Sequence, residues 1–222
     1  MIKKLLIRPF IGELPEYMDR YMDNINSLKK YGFDWLIFTD KNKYIELIEK
    51  KLGLKVDLGG HLLNPSEFRP AFGLIFEDYL KGYDFWGHTD FDCVYGRLDR
   101  FVSDEFLSSL DIFGNDLNAM CGPFSLYRNN DYINNLFKEH PKWQRYFLDH
   151  KHHAFDEQGM SEVVRRIKEE NKARVEFRHW MADDKQRHKI EIKEDGTLLS
   201  DGDEVMMYHF RKTKIYPTID IK

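Results

Sequence analysis

Asp90 and Asp92 stand on either side of a single phenylalanine, directly after the apolar run Tyr83-Asp-Phe-Trp-Gly-His-Thr89. In an extended segment, residues i and i+2 project to the same side, so the two carboxylates can face one point. Hard divalent cations such as Mg²⁺ and Mn²⁺ take oxygen ligands of this kind. A cation held there can bridge a diphosphate and neutralise charge on a departing phosphate. The spacing alone has little force. Asp201-Gly-Asp203 shares it, and there the glycine reads as part of an ordinary hairpin turn. What separates the first pair is its place after a buried strand. The competing reading is a strand-terminal turn with solvated carboxylates.

The pair needs a sheet to present it. Ile2 to Ile7 reads as a buried strand. Pro15 to Lys30 carries Tyr17, Met18, Tyr21, Met22, Ile25 and Leu28 at spacings of three and four, which predicts one helical face ended by Gly32. Phe33 to Thr39 fits an interior strand, and Tyr44 to Leu52 a helix stopped by Gly53. Leu54 to Leu58 reads as a further strand, broken by Gly59-Gly60. Pro70 to Leu80 reads as a third helix, before the strand Tyr83 to Thr89. This alternation predicts an α/β fold with helices on both faces of the sheet, where ligands bind at the carboxyl ends of strands. The second half is less regular. Asp131 to Phe137 and Glu157 to Glu170 read as helices, and Lys189 to Lys193 and Val205 to Phe210 as strands flanking the turn Glu194-Asp-Gly196.

Composition narrows the function classes. The chain has 222 residues, 34 basic against 38 acidic and a net charge of −4, so it lacks the global basic field of a nucleic-acid-binding protein. With 42% hydrophobic residues it has enough apolar material for a sizeable core. Cys93 and Cys121 have no CxxC spacing, which suggests neither a zinc site nor a disulfide framework. No stretch approaches the roughly 20 apolar residues needed to span a bilayer. The expectation is a soluble cytoplasmic protein, with peripheral association at the inner face of a membrane left open.

Three segments carry a resemblance. Phe68-Arg-Pro-Ala-Phe-Gly73, Tyr83-Asp-Phe-Trp-Gly-His-Thr-Asp-Phe-Asp-Cys-Val-Tyr-Gly96 and Gly122-Pro-Phe-Ser-Leu-Tyr-Arg-Asn129 together resemble a bacterial family of polysaccharide-biosynthesis glycosyltransferases. Asp34-Trp-Leu-Ile-Phe-Thr-Asp40 and Ala154-Phe-Asp-Glu157 fit the same pattern. The chain departs from it at Pro123, where the family often has His, and in the looser Pro9-Phe-Ile-Gly12. The resemblance implies a GT-A-like fold, a Rossmann-like mixed sheet flanked by helices with a DxD metal site. It implies one domain over residues 1–222, with a nucleotide-sugar-binding half (1–130) and an acceptor half ending in a metal- and phosphate-contacting segment (131–222).

The resemblance also implies roles for other residues. His209 becomes the late third metal ligand beside Asp90 and Asp92; otherwise it is a strand-end histidine before a solvated basic tail. Lys212 and Lys214 compete to hold the diphosphate, with Lys214 preferred. Asp156 or Glu157 becomes the base that deprotonates an acceptor hydroxyl in an inverting reaction. Asp156 is preferred, since Glu157 suits a capping role at the helix N-terminus, where acidic residues are favoured in any case. Arg69 approaches the nucleotide or donor sugar, Thr39 and Asp40 the base or ribose, and Phe10 packs against a uracil. For each of these, capping, surface exposure or core packing is the bland alternative.

The expected function is transfer of a sugar from a nucleoside diphosphate sugar, UDP-sugar favoured, to a cell-surface glycan or lipid-linked acceptor, with Mn²⁺ or Mg²⁺. Two alternatives remain: a metal-dependent nucleotidyltransferase or phosphodiesterase, for which no second-metal cluster of the HxxxD or HxH kind is visible, and a non-catalytic relative that binds a sugar nucleotide.

Overall fold

The first strand, β1 (Lys4–Pro9), is apolar on both faces: Leu5 and Ile7 enter one hydrophobic cluster and Leu6 the other. Such a strand must be covered on both sides. The computed structural model, which describes residues 1–56, 58, 66–149, 151–184, 189–211, 216–217 and 220–221, shows how. After β1 come α1 (Met18–Asn26), β2 (Phe33–Phe38), α2 (Lys41–Leu52), α3 (Phe72–Ile75), β3 (Phe85–Thr89) and β4 (Cys93–Tyr95). The helices α4 (Leu98–Phe101) and α5 (Asp104–Ser108) lead to β5 (Ile112–Gly114) and β6 (Phe124–Arg128). Then α6 (Asp131–Asn134), α7 (Trp143–Leu148) and α8 (Met160–Glu169) precede β7 (Val175–Phe177) and β8 (Met181–Asp183).

The central sheet has the order β2-β1-β3-β6-β5-β7. β1 is parallel to β2 and β3, β6 is antiparallel to β3 and β5, and β7 is parallel to β5. The expected α/β class, a mixed sheet flanked by helices, is therefore the observed one. One face carries Tyr44 and Ile48 of α2, Phe72 of α3 and Val163 and Val164 of α8. The other carries Tyr21 and Ile25 of α1, Leu98 of α4 and Leu107 of α5. Strand residues alternate between the two, as in Trp86 and Phe85 of β3. Next to them Gly87 is required by crowding, because a Cβ there would lie 2.3 Å from the Ser125 carbonyl oxygen.

The C-terminal strands do two different jobs. β9 (Ile190–Ile192), β10 (Leu198–Ser200), β11 (Asp203–Glu204) and β13 (Asp220–Ile221) form a small sheet of order β11-β10-β9-β13. Asp201 and Gly202 turn β10 into β11 with φ of 53° and 94°, the hairpin expected of Asp201-Gly-Asp203. β12 (Met207–His209) instead leaves this sheet and lies between β4 and β8.

Three expectations need correction. Val205 to Phe210 does not pair with the Lys189 to Lys193 segment. β9 pairs with β10 across the Glu194–Gly196 turn, and β12 pairs with β4. The helix expected over Pro70 to Leu80 shortens to a 3₁₀ turn, Arg69–Ala71, followed by the four-residue α3. Phe68, Phe72, Ile75, Phe76 and Leu80 keep helical spacing and are all buried in the same cluster, but residues 76–79 form turns and not regular helix. Leu54 to Leu58 forms no strand among its described residues; Leu54, Val56 and Leu58 only pack against that cluster, and β2 is the end strand of the sheet. Among the described residues, no helix is long and apolar enough to cross a membrane. Cys93 and Cys121 are free and buried.

Candidate functional site

β1 has its sequence neighbour β2 on one side and β3 on the other. A crevice opens at the carboxyl ends of strands where the connection order reverses in this way. Arg8 stands at the end of β1 and Asp90 directly after β3, with Arg8 Nη1 3.3 Å from Asp90 Oδ1. Arg69, on the 3₁₀ turn before α3, donates from Nη2 to the same Asp90 oxygen. Its Nη1 donates to Asp156 Oδ2 at 2.8 Å and to the Gly122 carbonyl at 2.9 Å. Burial works against the charge on Arg69, but Asp90 and Asp156 outweigh it and hold its pKa raised.

The two carboxylates respond differently. Burial pushes Asp90 up, yet Arg69 and Arg8 together pull it below its ordinary value. Asp156, 3% exposed, is raised to about 6, mainly by burial, with Arg69 opposing and the Glu157 charge adding. Glu157 is exposed, and its Oε1 accepts the Gly122 N–H at 3.1 Å. Gly122 is thus a focal point. Its carbonyl also lies 2.9 Å from Nδ1 of His88, a fully buried imidazole that burial lowers to about 3 and keeps neutral. A Cβ on Gly122 would sit 2.6 Å from Glu157 Oε1 and 3.3 Å from Asp156 Oδ2, so the cluster closes only around a glycine.

Asp92 and His209 meet through strand pairing. β4 and β12 run antiparallel with Cys93 opposite His209, and the Phe210 N–H donates to the Asp92 carbonyl at 2.9 Å. His209 Nε2 then lies 3.5 Å from Asp92 Oδ1, both residues being buried. Donor atoms of Asp92, Cys93 and His209 all fall within 4.8 Å of one another. Burial, then the charges of Asp92 and Asp90, push the Cys93 thiol well up. The carboxylate and imidazole that remain suit Mn²⁺ better than a thiophilic metal. Asp90 does not join that cluster; its carboxylate is turned to the two arginines.

Two cavities meet here. One, of 690 Å³, reaches from Arg69 and Asp90 past Gly122 to His209 and Arg211; the other, of 530 Å³, runs from Arg69 and Asp90 to Arg8 and Phe10. Glu157 lines both, whereas Asp156 lines only the smaller. Phe10 also packs against Phe91, with ring centroids 5.1 Å apart.

The remaining expected residues fall elsewhere. Thr39 and Asp40 are exposed at the end of β2, and Asp40 caps α2 by accepting the Lys43 N–H at 3.0 Å; neither lines these cavities. For Asp40 the capping role is the one present. Lys212 and Lys214 lie outside the described residues. The helix expected from Glu157 begins at Met160, because Phe155–Gly159 forms a wider π-turn that carries Asp156 and Glu157. Sequence reading missed Arg8. The logic that singled out Asp90, a charged residue at the end of a buried strand, applied equally to it.

Residues 43–220 match the model of a described family. The chain belongs to DUF6625, a family of unknown function. The matched span holds Arg69, Asp90, Asp92, Asp156, Glu157 and His209, and begins after Arg8 and Phe10. No curated protein matches the sequence. Among solved structures, the chain is similar to a glycosyltransferase involved in the glycosylation of the major capsid of PBCV-1, at a TM-score of 0.42 and 7% identity over 93% of each chain.

Proposed function

We propose that the protein is a metal-dependent glycosyltransferase that moves a sugar from a nucleoside diphosphate sugar, with a UDP-sugar favoured, to a cell-surface glycan or lipid-linked acceptor. The observation that carries this reading is the approach of His209 Nε2 to within 3.5 Å of Asp92 Oδ1, two residues past the Asp90 that Arg8 and Arg69 hold where the two cavities meet. Asp92 and His209 would hold Mn²⁺ or Mg²⁺, which would supply neutralising charge to a diphosphate leaving group, while Asp90 stays on the two arginines.

The chain's own groups suit the rest of the task. Arg8 lines the smaller cavity beside Phe10, so a cation and a half-buried aromatic face a donor there. For an inverting reaction, Glu157 is the base the geometry favours over Asp156. The Gly122 N–H orients one of its carboxylate oxygens, and the residue lines both cavities. It would take the proton from an acceptor hydroxyl while that oxygen bonds to the anomeric carbon and the bond to the diphosphate breaks. Asp156, buried on Arg69, serves to fix the guanidinium.

The test is a screen of UDP-, GDP- and CMP-sugars for Mn²⁺-dependent thermal stabilisation, comparing wild type with Asp92→Ala. Stabilisation of the wild type by a single nucleotide class, lost in the variant, is expected. No stabilisation, or equal stabilisation of both proteins, would sink the reading.

A further inference from the structure

Glu67 is a carboxylate with 2% exposure, and it faces a run of backbone amides. Its Oε1 accepts the N–H groups of His153 at 2.6 Å and Ala154 at 3.0 Å, and its Oε2 that of Phe155 at 2.9 Å. His152 Nδ1 lies 2.8 Å from Oε1. Three successive amides converging on one anion form a backbone nest, a concavity that selects negative charge. Here the anion belongs to the chain itself.

The held segment leads directly into the site. Ala154, at φ 50° and ψ 45°, takes the left-handed conformation that a non-glycine residue rarely adopts. Its carbonyl accepts the N–H groups of Glu157 at 3.1 Å and Gln158 at 2.7 Å, so its geometry sets the first turn of the segment bearing Asp156 and Glu157. Two residues after Glu67, Arg69 grips Asp156. Residues 67 and 69 therefore hold one loop at two points, by an anion on its amides and a cation on its carboxylate.

We propose that Glu67 is a positioning residue: the internal anion that fills the nest of residues 153–155 and thereby places Asp156 and Glu157 at the junction of the two cavities. The consequence for turnover rests on the glycosyltransferase reading; the placement does not. Emptying the nest with Glu67→Ala leaves a space that formate, a free carboxylate, can refill.

Amide NMR of the ¹⁵N-labelled protein tests the placement without any substrate. In Glu67→Ala, the signals of residues 153–155 should move, those of Asp156 and Glu157 should move with them, and formate should return both sets. The wild type should not respond to formate. Unmoved signals at 156 and 157, or signals there that stay displaced when formate restores 153–155, would overturn the proposal, as would formate leaving every one of these signals unchanged. If Glu67→Ala does not fold, Glu67→Gln and Glu67→Asp read the same amides. The carboxamide, neutral and with one acceptor replaced by a donor, should displace residues 153–157, and the shorter carboxylate should keep them near the wild-type positions; the reverse order refutes the idea. In turnover, Glu67→Ala should lower kcat about a hundredfold with donor affinity unchanged, and formate should recover it. A wild type that binds no sugar nucleotide defeats the glycosyltransferase reading and leaves the NMR result standing.

Discussion

Arg69 Nη1 lies 2.8 Å from Asp156 Oδ2, and both side chains are almost wholly buried. The same guanidinium also bonds Asp90, so two carboxylates depend on one cation. Removing one partner of a buried ion pair is costly because the other charge is left uncompensated. Arg69→Ala is expected to lose about 3–5 kcal/mol of stability by urea denaturation. Arg69→Lys should recover only part of it, since an ammonium cannot span two acceptors as the planar fork does.

Asp156 carries a pH signature. Its folded value is raised to about 6 against an ordinary 3.8, because burial outweighs the help of Arg69. The folded state therefore binds the proton more tightly than the unfolded chain. Its contribution is complete below the unfolded value and is lost as pH rises from 3.8 to about 6. The loss amounts to about 3 kcal/mol at 1.36 kcal/mol per unit. Denaturation curves of wild type minus Asp156→Asn across this range should isolate that slope; a flat difference would refute it.

Gly122→Ala should separate the fold from the site. The new Cβ would meet Glu157 Oε1 at 2.6 Å and Arg69 Nη1 at 3.2 Å. Glu157 can swing toward solvent, so the expected result is a folded protein, by circular dichroism, whose turnover falls about a hundredfold.

Mn²⁺ binding, read by electron paramagnetic resonance, should weaken at least about tenfold in both Asp92→Ala and His209→Ala, in keeping with the loss of a ligand. Cys93→Ser should leave it unchanged, because Mn²⁺ favours oxygen and imidazole ligands over a thiolate. Mn²⁺ binding that is unchanged in Asp92→Ala and His209→Ala would mean that the cluster supports packing and does not hold a metal.

Local chemistry made much of this legible from one dimension. The apolar runs of β1, β2 and β3, the caps of α2 and the turn at Asp201-Gly202 follow from continuous apolar stretches, glycine stops and turn residues acting within a few positions. The α/β class and the placement of Asp90 and Asp92 at a strand end came with them. The Pro70 to Leu80 helix and the Leu54 to Leu58 strand went astray because apolar residues spaced for burial can pack against the core from turns and irregular chain as well as from a regular element.

Other relationships exist only in the tertiary structure. His209 reaches Asp92 because β12 abandons the hairpin beside it in sequence and pairs with β4, a choice made by which edge is free and which side chains fill the second cluster. The preference for Glu157 over Asp156 in the proposed reaction arises in the same way. Neighbouring carboxylates look alike in a sequence, but the π-turn buries Asp156 on Arg69 and leaves Glu157 facing both cavities. Residue type decides which groups can ionise, ligate or donate. Which of them share a dielectric, a partner and a cavity is decided by contacts between segments far apart in the chain, and no local pattern encodes those.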